Sequence, residues 1–134
     1  MIVVDTNLIA YLLIGGAKTP QAENALRKDP EWCAPVLWRS EFRNILAVYM
    51  RRGSLSYKGA LELSHEGELL LAGGEYQVES GAVLNLVALS GCSAYDSEFV
   101  ALAQELGVPL VTSDRRILSQ FPSSAVSLDV FAGS

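Results

Sequence analysis

Two short apolar stretches, residues 1–4 and 108–111, limit what this chain can fold into more than any other feature. Neither alternates with polar residues as a half-wet strand does, so each reads as a strand buried on both faces. Residues 32–36 and 75–78 read as further short strands, and residues 125–128 as an edge strand. Between them the pattern switches to helical spacing at residues 6–13, 21–28, 37–52, 56–72, 80–90, 96–106 and 114–121. Gly53, Gly73-Gly74 and Gly107 stand where helices stop, and Thr6 where the first helix starts as its N-cap. Helices separating short apolar strands define an α/β domain with a parallel sheet covered on both faces. There is no repeat, low-complexity tract or linker, so residues 1–134 read as one domain.

Four carboxylates stand where the chain leaves its strands or enters its helices. Asp5 closes the first strand and Asp114 follows the last clear one; Asp96 opens a helix, and Glu41 lies inside one. Each has an ordinary reading. Asp5 and Asp114 terminate strands and cap the helices that follow. Ser93-x-x-Asp96 has the form of a capping box, with the acid also favoured by the helix dipole. Glu41 is harder to place on those grounds. Positions 37, 41, 44 and 48 fall along one helical line beside the apolar stripe of Trp38, Phe42, Ile45 and Tyr49. Glu41 and Asn44 are therefore expected to be buried or nearly so, and to need partners.

An open parallel sheet binds its ligands at the carboxyl ends of its strands, near the point where strand order reverses. Three of the four acids can reach that edge cheaply. Acids clustered there without matching bases suit a hard divalent cation such as Mg²⁺ or Mn²⁺. That chemistry points to phosphodiester hydrolysis. Zinc geometry is excluded, because His65 is the single histidine and Cys33 and Cys92 are far apart.

Composition sets the remaining bounds. Half of the 134 residues are hydrophobic, which rules out a disordered chain. No apolar stretch reaches the roughly 18 residues a membrane span needs, and the N-terminus lacks the basic and long apolar segments of a signal peptide. Two cysteines in such a chain read as buried thiols, and the cytoplasm is the expected compartment. The net charge of −5 weighs against a nucleic-acid ligand unless bound cations reverse the local sign.

The ordered set Val4-Asp5-Thr6-Asn7, Ser40-Glu41-Phe42-Arg43-Asn44-Ile45-Leu46, Tyr95-Asp96-Ser97-Glu98-Phe99-Val100-Ala101-Leu102-Ala103 and Leu110-Val111-Thr112-Ser113-Asp114 resembles the PIN domain family. Within it the chain most resembles the VapC-type toxin ribonucleases of toxin–antitoxin pairs. The resemblance implies a three-layer α/β/α sandwich around a short, mainly parallel sheet. It also implies a Mg²⁺- or Mn²⁺-dependent endoribonuclease acting on single-stranded RNA. Asp5, Glu41, Asp96 and Asp114 match the family's catalytic, metal-binding acids. Thr6, Asn7, Asn44, Thr112 and Ser113 match its supporting polar residues. A homodimer and an inhibitory antitoxin protein are the implied partners. One departure is that Asp114 is followed by Arg115-Arg116-Ile117 rather than by a further acid, which leaves a second metal site short of protein ligands. Arg39, Arg43, Arg115, Arg116 and Lys18 are candidates to bind substrate phosphate.

Rival readings fail on particular residues. A phosphatase using a strand-end aspartate wants a second acid where Asn7 stands. A receiver domain wants a strand-end lysine, and no lysine follows Lys58. A Gly-rich phosphate loop is absent. A PIN module that only binds a partner and a housekeeping RNA-processing nuclease remain as alternatives.

Overall fold

Val3 has no exposed surface and pairs with Cys33 on one side and Leu110 on the other, which puts the first strand at the centre of the sheet. The computed structural model describes residues 1–133. Strands β1 (Ile2–Val4), β2 (Trp32–Pro35), β3 (Glu75–Tyr76), β4 (Leu110–Thr112) and β5 (Ala125–Ser127) form one sheet in the order β3-β2-β1-β4-β5. Every neighbouring pair is parallel, as the unbroken apolar strands require.

The connections are α1 (Thr6–Leu13), α2 (Thr19–Lys28), α3 (Trp38–Arg51), α4 (Tyr57–Leu70), α5 (Ser80–Leu89), α6 (Ala94–Leu106) and α7 (Arg115–Gln120), with α8 (Leu128–Ala132) closing the described chain. From β1 the chain steps outward to β2 and β3, then returns across the sheet to β4 and β5. Right-handed crossovers therefore place α1 to α4 on one face and α5 to α7 on the other, while α8 packs on α2. Helix α1 packs on α2, α3 and α4, whereas α6 lies against β1, β2 and β4 with α5 packed on it. The result is the expected three-layer α/β/α arrangement, and the strand order reverses between β1 and β4.

Large apolar side chains fill the layers: Trp32, Trp38, Phe42, Leu8, Ile9 and Leu102 are essentially inaccessible. Two glycines set how closely elements approach. A β-carbon on Gly67 of α4 would meet the Trp38 ring at 3.0 Å, so the missing side chain lets α4 lie directly on that indole. A β-carbon on Gly74 would fall 2.4 Å from the Trp32 carbonyl oxygen, which ties the entry of β3 to β2. Cys33 and Cys92 are free and buried, and burial pushes both thiols up.

Some boundaries differ from the sequence reading. Of Thr6 and Asp5, both read as caps of α1, the side chain of Asp5 is the one that caps it, accepting from the Leu8 N–H at 3.1 Å. Helix α6 starts before Asp96, at Ala94, capped by Ser93. Strand β3 is only two residues long, and α8 follows β5 where no helix was expected.

Candidate active site

Each strand-end aspartate is placed by the helix it caps. Asp5 uses Oδ1 for the Leu8 N–H, and Asp114 uses Oδ1 for the Ile117 N–H at 3.0 Å. The capping interpretation and the site interpretation thus describe the same geometry. One oxygen fixes the carboxyl group at a helix start, and the other remains for a second partner. Asp96 sits in the first turn of α6, where its N–H donates to Ser93 Oγ at 3.1 Å. These three acids come from the ends of β1 and β4 and the start of α6, at the point where strand order reverses.

Thr112 joins two of them. Its hydroxyl donates to Asp5 Oδ2 and accepts from the Asp114 N–H at 3.0 Å. Glu41 approaches from α3, and its Oε1 accepts the Thr6 hydroxyl at 2.7 Å. Asp5, Thr6, Asn7, Ser40, Glu41, Asn44, Asp96 and Asp114 all line one cleft of about 660 Å³. Leu37, Ile45, Tyr95, Phe99 and Ile117 complete its lining.

The acids strain one another electrostatically. Burial raises Asp5 to about 6, and the charge on Asp114 adds to the shift against the hydrogen bonds from Thr112 and Leu8. Burial also raises Asp96 and Glu41; Asp114 pushes Asp96 further up, and Asp96 does the same to Glu41. Among the described residues none of the four forms an ion pair. One buried and three half-buried carboxylates that raise one another and form no ion pair fit a divalent cation on the chemistry of their donors. No three described His, Cys, Asp or Glu side chains are gathered into a finished ligand cage. The arrangement therefore fits a Mg²⁺-like ion, which is bound through one or two carboxylates and keeps its remaining ligands from water and phosphate.

Several sequence expectations change here. Glu41 is half-buried with a partner, as its helical position requires, but Asn44 is exposed because its part of α3 opens into the cleft. None of Arg39, Arg43, Arg115 and Arg116 lines the cleft. Arg39 is engaged elsewhere: its Nε and Nη2 donate to Glu75 at 2.7 and 2.8 Å, and the Trp38 indole donates to Glu75 Oε2 at 2.8 Å. That fork ties α3 to β3. Lys18 lies 5.5 Å over the Tyr11 ring. Arg116 is the arginine nearest in effect, since its charge lowers Asp96 while its Nη1 donates to the Gly91 carbonyl at 3.4 Å. Ser40 and Tyr95 line the cleft without having been singled out, and the Glu98 charge raises Glu41. Tyr95 and Glu98 stand three residues apart on one side of α6, and that spacing was the available signal.

The chain belongs to the PIN domain family, whose model matches residues 2–122. It is 30% identical over 125 residues to Ribonuclease VapC3 of Pyrobaculum aerophilum, covering 91% of this chain and 95% of that protein. Its fold is similar to the crystal structure of PAE2754 from Pyrobaculum aerophilum, with a TM-score of 0.77, 18% identity, and coverage of 98% of this chain and 93% of that one. It is likewise similar to a chain of a toxin–antitoxin complex from Klebsiella pneumoniae, with a TM-score of 0.70, 15% identity, and coverage of 96% and 98%.

Proposed function

We propose that this protein is a divalent-metal-dependent endoribonuclease cleaving single-stranded RNA, and that it is the toxin of a toxin–antitoxin pair. The observation that carries the reading is the cleft itself. Four acids from separate elements line it at the switch point of a parallel sheet, and among the described residues none of them forms an ion pair. The family and the similarity to a ribonuclease support the activity. The similarity to a chain of a toxin–antitoxin complex supports the biological role.

One Mg²⁺ or Mn²⁺ would be held mainly by Asp5 and Asp96, with Glu41 and Asp114 completing the inner or water-mediated shell. When bound, the ion supplies positive charge to the phosphodiester and activates water for attack. The protein's own part is positional. Thr112 orients Asp5 and keeps it bound to the end of β4; Thr6 orients Glu41. Asn7 and Asn44, both exposed in the cleft, offer amides to the sugar-phosphate chain. In-line attack by water on phosphorus would leave a 5′-phosphate and a free 3′-hydroxyl.

Leu69, Leu84 and Leu89 are 77%, 60% and 73% exposed, on α4 and α5. Apolar surface of that kind supports a homodimer and a bound antitoxin as partners.

The test is cleavage of total cellular RNA by the purified protein in Mn²⁺, beside an EDTA control. Discrete fragments that vanish in EDTA support the proposal, and a folded protein that neither binds Mn²⁺ nor cleaves RNA rejects it.

A further inference from the structure

Tyr95 is 63% exposed although it lines the cleft directly beside Asp96. It stands in the first turn of α6, whose N-terminus is fixed by the Ser93 cap. Phe99, one turn further along the same side of the helix, is only 3% exposed and lines the same cleft. The Tyr95 ring is thus carried on a firmly packed helix while its own surface stays open. Among the described residues no ring or cation stacks on it and no hydrogen bond holds its hydroxyl.

The composition of the cleft says what this surface suits. Its acids accept the phosphate end of a nucleotide only through cations. The apolar side chains among them, Leu37, Ile45 and Phe99, offer a phosphate nothing. With a net charge of −5, the protein gains little from long-range attraction to a polyanion, so contacts that are not ionic must supply affinity. Stacking on an exposed aromatic ring is such a contact, and every base has a face to offer it.

We propose that Tyr95 is a stacking platform for one unpaired nucleobase next to the scissile phosphate. It is then a point at which selectivity for single strands enters the site. The bases of a duplex are stacked on both faces and cannot present one to the ring. The inference rests on the ribonuclease reading above.

The experiment measures binding of labelled oligouridylate, oligoadenylate and a duplex RNA in Mn²⁺, using two non-cleaving backgrounds, Asp5→Asn and Asp114→Asn. Tyr95→Ala is expected to weaken both single strands roughly five- to hundredfold, the range that base–aromatic stacking spans, with no effect on the duplex. Tyr95→Phe keeps the ring and should bind like the parent, whereas Tyr95→Leu keeps apolar area without a ring and should not. Removing one base at a time from the oligonucleotide should reveal one position at which Tyr95→Ala no longer matters. Parent and Tyr95→Ala proteins that bind single strands equally would overturn the stacking assignment while leaving the ribonuclease reading intact. A Tyr95→Leu protein binding as well as Tyr95→Phe would overturn it too. Failure of both backgrounds to bind any single strand would remove this inference together with the reading beneath it.

Discussion

The Thr6 hydroxyl donates a 2.7 Å hydrogen bond to Glu41 Oε1 across 35 residues of sequence. It joins the first residue of α1 to the first turn of α3. Burial raises Glu41, with Asp96 and Glu98 adding to the shift, and the Thr6 bond is what opposes them. Thr6→Val removes the donor at nearly constant volume. Glu41 then protonates at still higher pH, so cleavage at neutral pH should fall by about tenfold, which corresponds to roughly 1.4 kcal/mol. The acidic limb of the pH–rate profile should move upward as well. Thr6→Ser should restore both quantities. A Thr6→Val enzyme with an unchanged pH profile would show that the bond does not matter.

Asp5 makes the metal-free protein more stable as it is acidified. Its folded value of about 6 lies above the ordinary 3.8, so between the two only the folded state takes up the proton. The cost of burying the charge is therefore present above pH 6 and is relieved as pH falls toward 4. Its size is on the order of 2–3 kcal/mol. Asp5→Asn should raise Tm at pH 7 in EDTA, remove this part of the acid-side gain, and abolish cleavage. Mn²⁺ should stabilise the unaltered protein more at pH 7 than at pH 5, because at the lower pH it must displace a proton. Thermal unfolding in EDTA and in Mn²⁺ at the two pH values measures all of this.

Arg39 belongs to the scaffold. Its bidentate bond holds the Glu75 carboxyl below the usual range, so the stability it lends is present above that range and lost as pH falls through the lowered value. Arg39→Ala should lower Tm near neutral pH and leave kcat per folded molecule unchanged. A large loss of kcat in a protein with unchanged Tm would return Arg39 to the substrate side.

Arg116 is the arginine whose charge acts on the cleft, through Asp96. If it meets a substrate phosphate, Arg116→Ala should weaken binding to all single-stranded RNAs alike. It should also reduce the dependence of log Kd on log salt by about 0.7, one phosphate's worth for a single strand. An unchanged slope would leave Arg116 as a brace between α7 and the loop before α6.

The parts of this molecule visible in its sequence are those set by local pattern. Ile2-Val3-Val4 and Leu110-Val111 reveal buried strands because a strand covered on both faces has no polar side. Asp5 and Asp114 stand out because each interrupts such a run. Glu41 shows itself through helical spacing against Trp38, Phe42 and Ile45. Long-range geometry was not visible. Nothing local indicates that Glu75 takes Arg39 from 36 residues away, or that Thr112 bonds to Asp5 across 107. Asn44 borders the apolar stripe of α3, and only the opening of the cleft explains why it is exposed. Helix α8 has five residues and too few turns to show a period. Tyr95 reads as one more helix residue until the cleft beside it is known.

The central claim is that these four acids act as one metal-dependent site. Its most direct test is cleavage of an end-labelled RNA in Mn²⁺ by Asp5→Asn, Glu41→Gln, Asp96→Asn and Asp114→Asn, each first shown to be folded. The account predicts that every substitution costs roughly a hundredfold or more, and that the unaltered enzyme leaves 5′-phosphate ends. An Asp96→Asn protein that cuts as fast as the unaltered one, or full activity in EDTA, would contradict it.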